Sequence, residues 1–471
     1  ASTTGSGFLC VQDNPCRLSI AVGAANTGDT IYVKGGTYTA LGPAVITVTR
    51  SITLFGGWDG QPGGPNIRPY RNPQLYPTII DGQNSRRAVY ITGTIQPTLE
   101  GFIFTHGNAT GLFAGCSASD AYGCGGGMFI YHARARIRNN TFANNTAMLT
   151  APDFHFVGYG GGLYVEVGNG VIISHNVFMS NTAAAVYSGS GGGLAFEAAA
   201  NESPNIDNNT FAGNIAPTWG GGIAIKHTYP IGISHNVIEN NSAVHGAGLY
   251  TWYSTGLYID ANIIRGNSGG EGVYQGYTDG YFVNNVVEDN VTDVGLSLFN
   301  GGPQSGAVDN NIIAHNGETA IAASASSAAP LTVRLYHNTL VGSGSGTALL
   351  MVSAPATLTL VNTIVSGFDV GFASNVPTQT VAFADYTLFD TDVGSYGVGA
   401  LTHIFAGAAA FIDPSARNYH IQAQSAARDV AKVTVISSDI DGDLRTAYGP
   451  PDIGADETPF IYPLFLPLAR R

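Results

Sequence analysis

The feature that most constrains this fold is an internal repeat centred on asparagine. The segments that begin at Asn139, His175, Asn208 and His235 align, and in each the second residue is an asparagine followed by a short apolar stretch. Successive members of the series are 36, 33, 27, 26, 23, 26, 27 and 24 residues apart, so the period settles in the middle twenties. A period of this size predicts a solenoid. The series comprises Asn140, Asn176, Asn209, Asn236, Asn262, Asn285, Asn311, Asn338 and Asn362.

Two further markers divide each repeat into three short apolar stretches. A second asparagine follows the first by five residues in the first seven repeats, and glycine triplets such as 160–162 lie upstream. The stretches alternate with period two, as in Leu163 and Val165, which predicts strands. Because one such unit cannot bury its apolar face alone, we expect neighbouring coils to stack at about 4.8 Å. The asparagine side chains should then hydrogen-bond from coil to coil as a ladder.

The beginning and the later part of the chain carry a resemblance. Residues 28–38 (GDTIYVKGGTY) resemble the opening coil, and residues 439–457 the closing segment, of right-handed parallel β-helix proteins secreted by bacteria. This architecture is shared by pectate lyases and polygalacturonases. The resemblance implies an all-β, right-handed parallel β-helix with three short strands per coil and roughly twelve coils. Because the fold carries many activities, the resemblance leaves function open.

Both ends of such a solenoid need covers, since its terminal strands have unpaired edges. We predict a cap over residues 1–28, with a helix starting at Asn14 and Pro15. The β-helix should span 29–410, an irregular cap at the rear 411–457, and an apolar tail 458–471. The tail resembles the Leu- and Pro-rich ends of secreted proteins from filamentous green bacteria of the Chloroflexota type. Its apolar residues, Phe460, Ile461, Tyr462, Leu464, Phe465, Leu466 and Leu468, are candidates for docking in assembly.

Composition excludes several functions and suggests a compartment. The net charge of −13 provides no basic surface for nucleic acid, and no apolar run is long enough to span a membrane. The cysteines form two close pairs, Cys10 with Cys16 and Cys116 with Cys124, which favours disulfides over free thiols. Together with a first residue that fits a mature chain after signal-peptide removal, this predicts a secreted, extracellular or cell-surface protein.

The catalytic motifs of polygalacturonase-like and pectate-lyase-like enzymes find no match. One outward strip nevertheless combines acids, a lysine and aromatic residues in stacked positions. A glycan groove would use Tyr164, Tyr250, Trp252 and Tyr274 for sugar contacts, since aromatic faces stack on sugars. Its alternative catalytic set would be Glu166, Glu197 and Lys226, two neighbouring carboxylates with a cation beside them. The competing interpretation is a solvated ion-pair ladder.

These observations predict a structural or cell-surface β-helix that docks head to tail with itself as a self-assembling filament or matrix subunit. The alternative is a polysaccharide-active enzyme or a glycan-binding protein. No cofactor is predicted apart from a weak calcium candidate at Asp439, Asp441 and Asp443, whose alternate acids also suit a turn.

Overall fold

The computed structural model shows a solenoid built almost entirely of parallel strands. Among the described residues, no helix is long and apolar enough to cross a membrane. The structure describes residues 1–458 except 4–5, 12–13, 62–69, 113–115, 117–120, 152, 168–169, 198–203, 228–229, 301–303, 326–330, 354–355, 376–379, 391–393, 396–399 and 447–448.

Each coil contributes one strand to each of three columns, in which every strand pairs in parallel with the strand one coil away. The predicted parallel β-helix is therefore confirmed, and within the described residues the third column contains thirteen stacked strands. The first column comprises Thr30–Lys34, Thr53–Trp58, Thr98–Glu100, Arg136–Arg138, Ile172–Ser174, Asn205–Asp207, Gly232–Ser234, Leu257–Asp260, Gly280–Val283, Gln304–Asp309, Leu331–Tyr336, Ala356–Val361, Thr380–Phe389 and Ala400–Ala406.

The second and third columns complete the coils and enclose the apolar core with the first. The second comprises Gly36–Tyr38, Thr78–Asp81, Phe102–Thr105, Thr141–Ala143, Val177–Met179, Thr210–Ala212, Val237–Glu239, Ile263–Arg265, Val286–Glu288, Ile312–Ala314, Thr339–Val341 and Ile364–Ser366. The third comprises Ala44–Val48, Arg87–Thr92, Met128–Tyr131, Leu163–Glu166, Leu194–Glu197, Ile223–Lys226, Leu249–Trp252, Ser268–Gly276, Val291–Asn300, Thr319–Ala325, Thr347–Ser353, Val370–Ser374 and Gly394–Ser395.

Two asparagine ladders run along the inside of the coils, as predicted. In each, the side-chain amide donates to the next coil's amide oxygen, as from Asn209 Nδ2 to Asn236 Oδ1 at 3.1 Å. The same amide nitrogen also donates to a carbonyl of the preceding coil, so these buried polar groups are satisfied. The first ladder runs from Asn140 to Asn338 and the second from Asn145 to Asn316.

Asn362 does not belong to the ladder, which corrects the sequence alignment by one residue. The register pairs Thr339 with Ile364, so Thr363 occupies the ladder position after Asn338. Thr363 Oγ1 keeps the hydrogen bond to the preceding coil, at 3.3 Å from the Leu335 oxygen. Asn362 lies one position earlier, at a left-handed turn with φ 56°. The sequence alignment missed this shift because the pair Asn338-Thr339 recurs as Asn362-Thr363.

The N-terminal segment covers the first coil. Asn14–Cys16 pairs antiparallel with Ser6–Val11, and the helix spans Leu18–Ala24, so the predicted helix starts later than Asn14. Its residues Leu18, Ala21 and Val22 are buried in the main core. The Lys34 nitrogen donates to the Ala1 oxygen, which pairs the outer edge of the first strand.

The C-terminal segment, residues 409–457, lies along the side of the solenoid. The prediction that it would cover the last coil as an end cap was therefore wrong. The segment contacts turn residues of successive coils: Lys432 N donates to Asn362 Oδ1, and Arg445 Nη2 to Asn310 Oδ1. Its apolar residues pack on outward residues of the second column, including Ile312 and Val341. Its regular elements are Phe411–Asp413, the 3₁₀ turn Pro414–Ala416 and Asn418–Ile421.

Candidate functional site

A strip of outward side chains on the third column forms the floor of the candidate site. Because the strands pair in register, residues one coil apart in the sequence become neighbours along the axis. One row contains Tyr131, Glu166, Glu197, Lys226 and Trp252. The other contains Phe129, Tyr164, Ala195, Ala224, Tyr250 and Tyr274.

A small side sheet forms the wall of the site. It consists of Ala121–Cys124, Val157–Tyr159 and Ser188–Ser190, and single bridges continue it through Trp219 to His245. The short strands Thr146–Met148, Thr182–Ala184 and Ser242–Ala243 lie in the same long loops. The wall is built by the insertions that lengthen the early coils.

Glycine triplets hold the wall close to the floor. Each triplet joins a wall residue to a third-column strand, as residues 160–162 join Tyr159 to Leu163. Gly191 has φ 69°, which favours glycine. A Cβ on Gly192 would lie 2.5 Å from the Gly221 oxygen, so the stacked triplets leave no room for side chains. The resulting tight corner creates a cleft between wall and floor.

The cleft has a volume of 460 Å³. Tyr159, Trp219 and His245 line it from the wall, and His227 lines it from the turn that follows one floor strand. Its floor is formed by Glu197, Lys226, Tyr250, Trp252 and Tyr274.

Two opposite charges stand side by side in the floor. Glu197 Oε2 accepts a hydrogen bond from Tyr164 Oη at 3.0 Å. Burial, reinforced by Glu197, raises the pKa of Tyr164 well above its usual value, so the phenol stays a donor. Lys226 Nζ lies 4.2 Å from the ring centre of Trp219 and 5.5 Å from that of Tyr159, within cation–π range. The carboxylate is thus oriented by Tyr164, and the ammonium by the aromatic wall.

A second acidic group, Glu271, contacts His245, which lines the cleft. His245 Nδ1 lies 3.3 Å from Glu271 Oε2, and the Gly246 nitrogen donates to the same oxygen at 3.2 Å. Burial raises the pKa of Glu271 above its usual value, against the opposing effect of His245.

The aromatic rings of the floor stack mainly on one another. Tyr250 and Tyr274 are 5.3 Å apart and 13° from parallel, and Trp252 stacks on Phe299 at 6.2 Å and 8°. Such rings turn their faces along the axis and their edges toward the cleft. Trp219 is tilted by 40° to Tyr250 and has its own contact with Lys226.

Two predicted site residues are inaccessible. Tyr164 is fully buried between the floor residue Phe129 and Tyr159 of the side sheet, and Glu166 is also 0% exposed. Neither presents a surface to a ligand, so the predicted roles of Tyr164 in sugar contact and of the Glu166–Glu197 pair in catalysis do not fit this geometry. Of the predicted catalytic residues, the structure brings Glu197 and Lys226 into the cleft.

The wall residues Tyr159, Trp219 and His245 were missed in the sequence. A signal for them exists, because each directly precedes a glycine-led segment in its repeat. The position before the glycines is therefore a column of its own. Its members are Cys124, Tyr159, Ser190, Trp219 and His245.

The other sequence-based candidates have different outcomes. The Cys10–Cys16 and Cys116–Cys124 disulfides are confirmed. The candidate docking residues of the apolar tail, Phe460, Ile461, Tyr462, Leu464, Phe465, Leu466 and Leu468, lie outside the described residues.

The calcium candidates take part in a turn. Asp439 Oδ1 accepts from the backbone nitrogens of Asp441 and Asp443, and its Oδ2 accepts from that of Glu457. Asp441 instead lies near His420 and Asp456, with one potential ligand atom of each within 4.8 Å of the others. The calcium assignment stays a prediction.

Comparison with known proteins places the chain in a family. Residues 72–200 and 192–365 match the family described as right handed beta helix region, so the chain belongs to this family. No curated protein matches the chain.

Three solved structures are similar to this chain at low sequence identity. Pectate lyase Pel9A is 13% identical, with a TM-score of 0.40 over 98% of this chain and 96% of its own. Tailspike protein 3 of bacteriophage CBA120 is 11% identical, with a TM-score of 0.42 over 86% of this chain and 57% of its own. The PL6 family alginate lyase AlyGC is 12% identical, with a TM-score of 0.29 over 83% of this chain and 70% of its own.

Proposed function

We propose that this protein binds a glycan in the cleft between the side sheet and the third strand column. The observation that carries the proposal is the cleft itself, 460 Å³ in volume and lined by aromatic and hydrogen-bonding side chains. This volume falls within the range of about 300–1,000 Å³ typical of ligand sites.

The chemistry of the lining suits a polyhydroxylated ligand. Glu197 and Lys226 offer an acceptor and a donor next to each other, and His227, His245 and the tyrosine hydroxyls add further partners. Trp219 supplies apolar surface for the C–H face of a sugar ring. Sugars combine hydroxyl rims with apolar faces, so this mixture of groups matches them.

We further propose that the protein works outside the cytoplasm. The two disulfides support this, because such bonds persist in oxidising compartments. The proposal is for binding: turnover by the Glu166–Glu197 pair is not part of it, since Glu166 is buried. The predicted role as a self-assembling structural subunit stays a separate prediction.

The test is a panel of soluble oligosaccharides from neutral, acidic and amino-sugar polysaccharides, followed by calorimetry with the best ligand. We expect Trp219→Ala and Glu197→Gln to weaken binding at least tenfold, since both line the cleft.

Tyr258→Ala is the matched control. Tyr258 is an exposed aromatic residue on the first column, 47% accessible and outside the cleft. Its variant should bind like the native protein. Absence of any ligand, or equal losses in Trp219→Ala and Tyr258→Ala, would contradict a glycan site in the cleft.

A further inference from the structure

The two ends of the solenoid differ in whether the outer edge of the terminal strand is hydrogen-bonded. At the first coil, the Ala1 nitrogen donates to the Tyr32 oxygen at 2.6 Å, and the Lys34 nitrogen donates to the Ala1 oxygen at 3.0 Å. The outer edge of strand Thr30–Lys34 is therefore paired.

At the other end, strand Ala400–Ala406 pairs on one side with Thr380–Phe389. Within the described part of the chain, its second edge has no strand partner. Leu401 stacks on the buried core residue Ala384 but is itself 48% exposed, and Ile404 is 40% exposed. The strand contains no Asp, Glu, Lys, Arg or Pro, the residues that usually protect an open edge. We call this edge the open edge.

The apolar tail, residues 459–471, has a pattern that suits a terminal strand. Its prolines, Pro459, Pro463 and Pro467, all have odd numbers. In an extended strand, residues of one parity point their N–H groups to the same side. All three missing donors would therefore lie on one edge, and the other edge would pair without interruption. Prolines in sheets are confined to edge strands in this way.

The side chains of the even-numbered tail residues also suit a terminal strand. Phe460, Tyr462, Leu464, Leu466 and Leu468 share one face of an extended strand, and all are large and apolar. With their N–H groups on the uninterrupted edge, this face can cover Leu401 at the end of the core.

The point at which the tail starts makes the open edge reachable within the same chain. Thr458 is held by Asp452, whose Oδ2 accepts from the Thr458 nitrogen and hydroxyl at 2.7 Å. Nearby, the Gly454 nitrogen donates to the Asn362 oxygen, two coils before the open edge. Two coils rise about 10 Å, whereas the extended tail spans about 40 Å at roughly 3.3 Å per residue.

We propose that the apolar tail adds to strand Ala400–Ala406 of its own chain as a final parallel or antiparallel strand. Its even-numbered residues make the backbone hydrogen bonds, and its prolines face away from the sheet. The tail then protects the open edge from other chains. This interaction is independent of the glycan cleft, so either proposal can fail alone.

Deletion of residues 459–471 distinguishes this arrangement from docking between chains. We expect the full chain to be a monomer by light scattering, with those amides of Ala400–Ala406 that point away from Thr380–Phe389 protected from hydrogen exchange. The deletion should expose those amides and cause self-association. A native oligomer that dissociates on deletion would overturn the proposal in favour of docking on a second copy. Unchanged protection of Ala400–Ala406 would also overturn it.

Two proline substitutions test the parity directly. Leu464→Pro removes a donor from the pairing edge, whereas Phe465→Pro removes one from the edge that already carries prolines. Both replace a large apolar residue. We expect Leu464→Pro to lose protection at Ala400–Ala406 as the deletion does, and Phe465→Pro to retain it. Equal behaviour of the two variants would show that the tail does not pair through its even-numbered residues.

Discussion

Two lateral surfaces of the same solenoid differ in accessibility: one is covered by another segment of the chain, and the other is open to solvent. The covered face comprises the second-column strands from Val286–Glu288 to Ile364–Ser366, on which the C-terminal segment packs. The cleft face comprises the third-column strands around Glu197 and Lys226, and it stays accessible. The outward residues explain the difference. Apolar residues such as Ile312 and Val341 require a cover, whereas the cleft face presents charged and aromatic groups that can contact solvent or a ligand.

The two surfaces also differ in how deeply their charged side chains are buried. On the covered face, Arg445 is 1% exposed and lies among Asp439, Asp452, Asp456 and Glu457. On the cleft face, Glu197 and Lys226 are half-buried neighbours. Buried charges depend on every partner being in place, whereas partly hydrated ones tolerate change. The same comparison predicts which substitutions affect stability and which affect binding.

The largest effect is expected from Arg445→Ala on the covered face. Arg445 Nη2 donates to Asn310 Oδ1 at 2.6 Å and to the Gly454 and Ala455 oxygens at 2.9 Å. Its removal leaves buried carboxylates without their cation, which destabilises by about 5 kcal/mol, the upper part of the range for broken buried pairs. Hydrogen exchange should show residues 409–457 released while the cleft strands stay protected.

The neighbouring Leu444→Ala is the control for Arg445→Ala. Leu444 is 62% exposed, so its substitution should change stability by no more than about 0.5 kcal/mol. If the two variants behave alike, the charged cluster does not hold the C-terminal segment in place.

A second prediction concerns pH and again separates the two faces. Burial raises the pKa of Glu457 to about 8, although Arg445 and the backbone nitrogen of Asp452 oppose this; Asp452 and Asp439 add to it. The folded state therefore holds this proton more tightly than the unfolded state. Its contribution to stability is present below the unfolded pKa of 4.5 and is lost as the pH rises toward 8.

The size of this effect is at most about 5 kcal/mol, since the folded and unfolded pKa values differ by about 3.5 and one pKa unit corresponds to about 1.4 kcal/mol. We expect protection of residues 409–457 to fall between pH 5 and 8. Glu457→Gln, which keeps an acceptor for Asp452, should flatten the profile. A fall of equal size in that variant would assign the pH dependence to other groups.

A third prediction concerns the asparagine ladder, which lies inside the coils that form both faces. Asn236 Oδ1 accepts from the Asn209 nitrogen and Nδ2, and its own Nδ2 donates to the Ile206 oxygen and Asn262 Oδ1. Asn236→Ala leaves these buried groups unpaired, which destabilises by about 3 kcal/mol. Chemical denaturation should show a loss for the whole solenoid. Asn236→Thr, which imitates Thr363, should recover part of it; no difference between Ala and Thr would argue against the ladder bonds as the cause.

The sequence predicted the repeat well because the same physical demand recurs in every coil. Asparagine suits the inner turn, and period-two apolar residues suit the strands. The strand pairing of the side sheet was not predicted, because the insertions that form it differ in length and have no period. Tyr164 was consequently assigned to the surface although Val157–Tyr159 covers it.

The position of the C-terminal segment was also missed, because the second column carries no clear signal for it. Ile312 lies beneath the segment, but Val177, at the equivalent position of an earlier coil, is equally apolar and 37% exposed. A repeat therefore predicts the coils, but it does not indicate which of their surfaces another segment covers.

Apart from the control Leu444→Ala, the smallest change in stability is expected on the cleft face, from Lys226→Met. Methionine keeps the contact of an apolar stem with Trp219 and Tyr159 but removes the ammonium. Since Lys226 is only half-buried, thermal unfolding should shift by no more than about 1 kcal/mol in free energy. Glycan binding, in contrast, should weaken, because the donor next to Glu197 is lost. A variant that unfolds readily yet binds normally would contradict this prediction. It would show that Lys226 stabilises the wall and does not contact the ligand.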